Sequence, residues 1–137
     1  SPAGVRRLMH RLPGMRAFQA GMAVLIFGLL GLGVAAIALP GLSDVGYGVA
    51  GGTPAWVAAT GLRDVALGVM AAGLLFKAPS ALRLFLPALV IVPLGDVAIV
   101  LIWGESLLGI TPHALGALYI MGLWGLARRS VPPLPPR

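Results

Sequence analysis

Three charged residues of this sequence stand inside long apolar stretches and could carry out chemistry together. Arg63 and Asp64 are adjacent in TGLRDVALGVM (60–70), and Asp96 stands in PLGDVAIV (93–100). In surroundings of low dielectric, one Arg and two Asp favour one ionised carboxylate bound to the guanidinium, while the second carboxyl keeps its proton. A protonated and an ionised carboxyl in one site can act as general acid and general base.

The two aspartates differ in their expected relation to Arg63. Neighbouring residues on a helix point about 100° apart, so Asp64 need not face the guanidinium beside it in sequence. This geometry favours Asp96 as the ion-pair partner of Arg63 and leaves Asp64 as the acid, although the opposite assignment stays open. Arg63, Asp64 and Asp96 are therefore the predicted catalytic residues.

Four further side chains are candidates for binding a substrate: Thr60, Trp103, His113 and Tyr119. Thr60 lies one helical turn before Asp64, so the two side chains can form a hydrogen bond. Trp103, His113 and Tyr119 could line a pocket or hold a substrate oxygen. Simpler interpretations stay open, because Trp103 is typical of an interfacial aromatic anchor and His113 of a helix start.

The composition indicates that these charged groups lie in lipid. Hydrophobic residues form 58% of the 137-residue chain, and charged residues form only 10%. The mean hydropathy is +0.97. A soluble chain of this size could not bury so much apolar surface in its core. The sequence has no cysteine, which excludes disulfides, thiolate zinc sites and iron–sulfur clusters.

Four apolar runs are long enough to cross the roughly 30 Å hydrocarbon core of a bilayer as helices. The predicted spans are 18–39, 55–76, 81–103 and 111–127. They predict an all-α fold, a four-transmembrane-helix bundle that forms one domain over 1–137. A basic N-terminal segment (1–17) precedes the first span, and a Pro-rich tail (128–137) follows the last.

The basic residues predict how the bundle is oriented. Nine of the ten flank the spans on one side. The positive-inside rule places that side, with both termini, in the cytoplasm of what we expect to be the bacterial cytoplasmic membrane. The tenth basic residue is Arg63. In this orientation Arg63, Asp64 and Asp96 lie in the outer half of the bundle. A cleaved signal peptide is less favoured, because the first apolar run is longer than a typical signal segment.

Charges at this depth must face the interior of the bundle. On insertion scales, each Arg or Asp at the helix centre costs about 2.5–3.5 kcal/mol, so three such charges facing lipid would cost about three times as much. Small residues share a helical face with Asp64 and predict that this face is packed: Gly61, Gly68 and Ala71. Pro93 cannot donate a backbone hydrogen bond, so we expect the third helix to bend near Asp96.

Three segments of the sequence resemble a known family of small four-helix membrane proteins. The segments are GLRDVALG (61–68), PLGDVAIV (93–100) and PHALGALYIMGL (112–123). Over about residues 18–128 the chain is similar to the family labelled domain of unknown function 4267. The Gly-x-Arg-Asp block and the later Pro-x-x-Asp are the most specific parts of this resemblance, and His113 falls where the family has a histidine. The resemblance implies a link to fungal polyketide pathways in which epoxides are opened by water or by internal hydroxyls.

A second resemblance concerns chemistry alone. An Asp-Arg-Asp set is similar to the acid–base device of limonene-type epoxide hydrolases, which are soluble and have another fold. The leading hypothesis is therefore a membrane-embedded acid–base enzyme acting on a lipophilic small molecule. Its most concrete form is an epoxide hydrolase or an epoxide-opening cyclase, and an isomerase is a close variant.

Two hypotheses from other classes stay open. One is a small proton-coupled transporter or channel subunit that relays protons through Asp64, Asp96 and His113. The other is a structural membrane protein in which an Arg–Asp pair fastens two helices.

The expected partners are the lipophilic substrate and membrane lipids, and a homo-oligomer is compatible with the sequence. Nucleic acid is not expected, because the basic residues flank the spans and are not interleaved with aromatic residues. No cofactor is predicted. A metal site is not expected either, since no two ligand residues stand four apart on a helix. The connection 40–54, with Asp44 and Tyr47, is long enough for a lid, although a plain connector is the simpler interpretation.

Overall fold

A computed structural model describes residues 13–44, 53–104 and 107–133 of the chain. Some predicted features lie outside this range: most of the basic N-terminal segment, Tyr47 in the long connection and the end of the Pro-rich tail. The described residues are all helical or connecting, with no strand among them.

Four helical stretches are long and apolar enough to cross a membrane, as the sequence predicts: Gly14–Ala38, Pro54–Lys77, Pro79–Trp103 and Leu107–Ser130. The elements are α1 (Pro13–Ala38), α2 (Pro40–Ser43), α3 (Pro54–Lys77), α4 (Leu82–Leu89), α5 (Ile91–Trp103) and α6 (Ile110–Ser130). Short 3-10 turns at Pro79–Ala81 and Leu107–Gly109 precede α4 and α6. The third membrane-crossing stretch thus contains two consecutive helices, α4 and α5. The predicted all-α fold and the four-helix architecture are confirmed.

The helix limits differ from the predicted spans by a few residues. Helix α1 begins five residues before 18, and α6 continues three residues beyond 127. The apolar runs predict the part of each helix that lies in hydrocarbon, whereas a helix can continue into the interface, where long basic side chains such as Arg16 and Arg128 reach water. At the start of α3, the backbone N–H of Trp56 donates to the Thr53 hydroxyl at 3.4 Å, and Pro54 occupies the first turn.

The third predicted span is not one continuous helix. It is interrupted at Val90, between α4 and α5. Pro93 has no backbone N–H to donate to the carbonyl of Leu89, so one rung of the helical hydrogen bonding is lost there. Helical hydrogen bonds that involve Val90 itself remain, from its N–H to the Leu86 carbonyl and from the Leu94 N–H to its own carbonyl, at 3.2 Å each. The expected irregularity is seen as this interruption, which lies six residues, or nearly two turns, before Asp96.

Helices α1 and α3 form the most intimate contact of the bundle. A Cβ built on Gly61 would lie 2.5 Å from the carbonyl oxygen of Gly33, so the two backbones touch. Two turns further along α3, a Cβ on Gly68 would lie 3.0 Å from the Leu30 side chain, and Ala71, nearly one turn beyond Gly68, is fully buried. The predicted small-residue face of α3 is therefore packed, and its partner is α1.

In the described part of the chain, helix α6 packs against three of the other helices but not against α3. It contacts α1, α4 and α5, whereas among the described residues α3 scarcely approaches α5 or α6. An apolar core fills the end of the bundle that carries Arg16, Lys77, Arg83, Arg128 and Arg129, which we call the basic end. The largest fully buried side chains of this core are Phe18, Met22, Leu82 and Leu86.

The outer faces of the helices are apolar and exposed. The side chains include Phe27, Phe76, Ile91, Ile102 and Leu108, each at least 70% exposed. Hydrocarbon is the solvent in which such a surface is stable. The fold is thus compatible with an integral membrane protein.

Candidate functional site

Arg63 and Asp96 form a bidentate ion pair between α3 and α5. The Arg63 Nη1 donates to Asp96 Oδ1 at 2.9 Å, and Nη2 donates to Oδ2 at 3.0 Å. Paired N–H bonds of this kind are the strongest arrangement available to a guanidinium and a carboxylate. The sequence predicted that Asp96 is a partner of Arg63, and the structure confirms it.

Asp64 is a second partner of the same guanidinium. Its Oδ1 accepts from Arg63 Nε at 3.1 Å and lies 3.0 Å from Nη2. The sequence left open whether Arg63 also contacts Asp64, and in the structure it does. Although the two side chains leave the helix in different directions, the Arg side chain is long enough to fold back, and its three nitrogens can serve two carboxylates. Asp64 itself is 6% exposed, on the face of α3 that packs against α1.

His113 extends this set from the first turn of α6. Its Nδ1 lies 3.5 Å from Asp96 Oδ2, and its side chain is 10% exposed. Four of the seven predicted site residues therefore converge in one row, in which Asp64, Arg63, Asp96 and His113 come from α3, α5 and α6. The row lies away from the basic end, where α3 and α5 have little other contact.

The row forms part of the wall of a cavity of about 390 Å³. Small-molecule sites typically enclose about 300–1,000 Å³ and combine apolar walls with a few polar groups. Apart from the row and Tyr119, the lining is apolar or glycine. A ligand in this cavity would meet hydrogen-bonding groups in one region and hydrocarbon-like surface elsewhere.

Tyr119 lines the same cavity, as predicted for a binding residue. Its hydroxyl donates to the carbonyl oxygen of Gly21 on α1 at 2.8 Å. The ring thus contributes to the wall while the hydroxyl joins α6 to α1. This bond uses the donor of the hydroxyl, whose oxygen keeps its capacity to accept.

Two predicted binding residues do not reach the cavity. The Thr60 hydroxyl donates to the carbonyl of Trp56 in its own helix at 3.1 Å, so it is not the partner expected for Asp64. This back-bonding is common for Thr within helices. Trp103 is 75% exposed. It lies about two turns beyond Asp96, which is the last residue of α5 that lines the cavity. Its position suits the simpler interpretation of an interfacial anchor.

Sequence reasoning missed the contribution of α1. Val24, Gly28 and Leu32 line the cavity at four-residue spacing, so they share one face of that helix. The apolar spacing was readable in the sequence, but every face of this helix is apolar. Only the packing of α1 against α3 shows which face meets the site.

Among the described residues, no group of three or more His, Asp or Glu side chains is arranged to hold a metal ion. Arg63 instead lies between the two carboxylates and supplies the positive charge. The fold and the site together define a four-helix, membrane-type bundle whose cavity has an Arg–Asp cluster in its wall. Comparison of the chain with family models, with curated proteins and with solved structures finds no match. The similarity to domain of unknown function 4267 stays a prediction.

Proposed function

We propose that the protein is a membrane-embedded acid–base enzyme that opens an epoxide in a lipophilic small molecule, as a hydrolase or a cyclase. The observation that carries this proposal is the row of Asp64, Arg63, Asp96 and His113 in the wall of an otherwise apolar cavity. One guanidinium balances the charge of one carboxylate, so in low dielectric the proposal assigns a proton to the second carboxyl. Apolar walls suit a substrate that dissolves in the bilayer.

The reaction needs one proton acceptor and one proton donor. Asp96, ionised and held by Arg63, takes a proton from water or from a substrate hydroxyl. The oxygen so activated forms a bond to an epoxide carbon, and the ring C–O bond breaks with its electron pair moving to the ring oxygen. Asp64, protonated, donates its proton to that oxygen. Water addition gives a diol, and attack by an internal hydroxyl gives a cyclic ether.

One proton must then return from Asp96 to Asp64 before the next turnover. Arg63 bonds to both carboxylates, and His113 lies 3.5 Å from Asp96 Oδ2. An imidazole can accept a proton on one nitrogen and release one from the other. His113 is thus placed to carry the proton away from Asp96, with water or product as the link to Asp64.

The proposal includes an orientation in the bacterial cytoplasmic membrane, with both termini in the cytoplasm. Its support is the basic end, at which Arg16, Lys77 and Arg128 gather on one side of the bundle. The cavity then lies in the outer half. Because the chain has no cysteine, single-cysteine variants report without background. A membrane-impermeant maleimide should label Ser43→Cys in intact cells and Ser130→Cys only after lysis; the reverse pattern would invert the orientation.

Turnover by the purified protein tests the chemistry. A panel of lipophilic epoxides, supplied in mixed micelles, should be converted to diols or cyclic ethers. Asp64→Asn and Asp96→Asn should each lower kcat by at least a hundredfold, a size typical of a lost acid–base catalyst. Asp44→Asn, which changes a carboxylate at the end of α2 outside the cavity lining, should retain the rate. If no epoxide in the panel reacts, the enzyme proposal fails.

A structural role for the ion pair is the second candidate. It is favoured by the fact that Arg63 bridges α3 and α5, two helices that scarcely approach each other elsewhere. The two candidates differ in a measurable way. A fastener predicts that Asp64→Asn and Asp96→Asn lose thermal stability and nothing else, whereas the enzyme proposal predicts loss of turnover in variants that are still folded.

A further inference from the structure

The cavity is closed on one side of the bundle and open on the other. The apolar lining residues from α3, α4 and α5 are buried or half-buried, as Leu89 is at 3% exposed, and Asp64 is 6% exposed. The strongly exposed aliphatic side chains of the lining all stand on α1 and α6: Val24 at 63%, Leu32 at 65% and Leu115 at 61%, whereas Leu25 and Ile120 lie deeper on the same two helices. The mouth of the cavity therefore lies between α1 and α6.

The packing of α1 explains why this mouth exists. Towards the basic end, α1 touches α6, where a Cβ on Gly21 would meet the Leu123 side chain and Tyr119 bonds to the Gly21 carbonyl. Further along, α1 lies against α3 through Gly33 and Gly61 instead. A Cβ on Gly28, between these two contacts, would meet nothing within 4 Å. Helices α1 and α6 thus part beyond Gly21 because α1 is held by a different neighbour.

The mouth lies at the depth of hydrocarbon. Gly28 is ten residues from the end of α1 at Ala38, which corresponds to about 15 Å along the helix and to about half of a bilayer core. Apolar side chains rim the opening, and water is absent from this depth of a bilayer. A ligand dissolved in the membrane can reach the opening by lateral diffusion, whereas a strongly hydrated ligand would have to leave water first.

We propose that the gap between α1 and α6 is a lateral portal for an amphiphile with one uncharged, oxygen-bearing head and an apolar chain. The head lies at Arg63, Asp96 and His113, and the chain leaves the cavity past Gly28 into the bilayer. An uncharged head fits because Arg63 is engaged by both carboxylates and, with one of these protonated, balances the charge of the other. An added charge would then be uncompensated in low dielectric. Gly28 determines access, since its missing side chain is part of the opening. This inference rests on the proposed site and not on the proposed reaction.

Photo-crosslinking tests the portal without requiring turnover. The probe is a sixteen-carbon fatty alcohol with a diazirine in its chain, added to the purified protein in phosphatidylcholine vesicles. Crosslinks mapped by mass spectrometry should concentrate on Val24, Leu32 and Leu115. Gly28→Leu should reduce this labelling at least tenfold. Gly31→Leu is the matched control, because Gly31 lies on the same helix, also meets nothing within 4 Å and does not line the cavity.

A second pair of variants tests the opposite rim and guards against misfolding of the first. Leu115→Trp should obstruct the mouth, whereas Leu118→Trp should not, since Leu118 is similarly exposed at 64% but does not line the cavity. Equal labelling in both members of both pairs would overturn the portal, as would crosslinks spread evenly over the lipid-facing surface. Portal labelling without epoxide turnover would reject the proposed reaction and keep the portal. Unchanged turnover in Gly28→Leu and Leu115→Trp would reject the portal and keep the proposed reaction.

Discussion

Helix α3 is held on its two flanks by opposite kinds of contact. On the α1 flank the backbones touch, with no side chain between Gly33 and Gly61. On the α5 flank the helices stay apart, and the long side chain of Arg63 reaches across to Asp96. Close glycine packing excludes everything else from the interface, whereas a bridge of one side chain leaves space beside it. The site exists because the second flank is not packed like the first.

The two flanks also differ in how they respond to damage. Glycine packing depends on shape and is lost when atoms are added. The ion pair depends on charge balance, and it is lost when one partner is removed and the others stay buried. Variants that add atoms on one flank or remove charge on the other therefore measure the contribution of each.

Removing the guanidinium should have the largest effect. Arg63→Gln leaves Asp64 and Asp96 close together without a counter-ion, and breaking a buried pair in this way costs about 3–5 kcal/mol. The free energy of unfolding, measured by SDS titration in mixed micelles, should fall by that amount. Arg129→Gln, an exposed residue at the end of α6, should change it by less than about 0.5 kcal/mol.

The charge-balance explanation can be contradicted directly. Asp64→Asn and Asp96→Asn added to Arg63→Gln should recover part of the lost stability, because no uncompensated charge is then left. If the triple variant is less stable than Arg63→Gln alone, the α5 flank depends on the particular hydrogen bonds rather than on charge balance.

Adding one methyl group to the glycine flank should have the next largest effect. In Gly61→Ala the new Cβ would lie 2.5 Å from the Gly33 carbonyl oxygen and 2.8 Å from Ala36 Cβ, so the helices must move apart. Overpacking of this kind costs about 1–3 kcal/mol. Gly73→Ala on the same helix meets nothing within 4 Å and should leave the SDS midpoint unchanged or raise it. Equal midpoints for the two variants would show that α1 and α3 are not in backbone contact.

The same contrast explains what the sequence could predict. Apolar runs predict the four helices, and small residues spaced with Asp64 predict its packed face, because lipid burial and close packing leave clear patterns in composition. The Arg63–Asp96 pair was predictable because charges at one depth of a bilayer need each other. These inferences concern the presence and the depth of groups.

What the sequence did not determine is the direction of each side chain. Arg63 bonds to Asp64 as well as Asp96, since its flexible side chain is not bound to the direction of its Cα–Cβ bond. The Thr60 hydroxyl found an acceptor in its own helix, which a sequence pattern does not distinguish from an acceptor in the site. Trp103 lies on the same face of α5 as Asp96 but beyond the end of the cavity, because helix packing rather than helical periodicity sets where a cavity ends.

Removing one neutral hydrogen bond should have a smaller effect than either change on α3. Tyr119→Phe deletes the hydroxyl that donates to Gly21 O at 2.8 Å. Interhelical hydrogen bonds in membranes contribute about 0.6 kcal/mol on average, so the free energy of unfolding should fall by that order. Tyr119 joins α6 to α1 where these helices begin to part, and SDS titration compares this contact with the two flanks of α3. A loss as large as that of Arg63→Gln would mean that this contact, and not the ion pair, holds the open side of the bundle together.

The smallest effect should come from Thr60→Val, one residue before the glycine contact. Val keeps the shape of Thr and removes only the hydroxyl, which donates to the Trp56 carbonyl within α3. That bond contributes little to a helix whose backbone hydrogen bonds are already formed. The free energy of unfolding and the rate of epoxide opening should therefore both stay close to those of the unmodified protein, the former within about 0.5 kcal/mol. A large loss of rate with unchanged stability would place Thr60 in the site after all, and would mean that its hydroxyl turns from Trp56 to Asp64 when a ligand is bound.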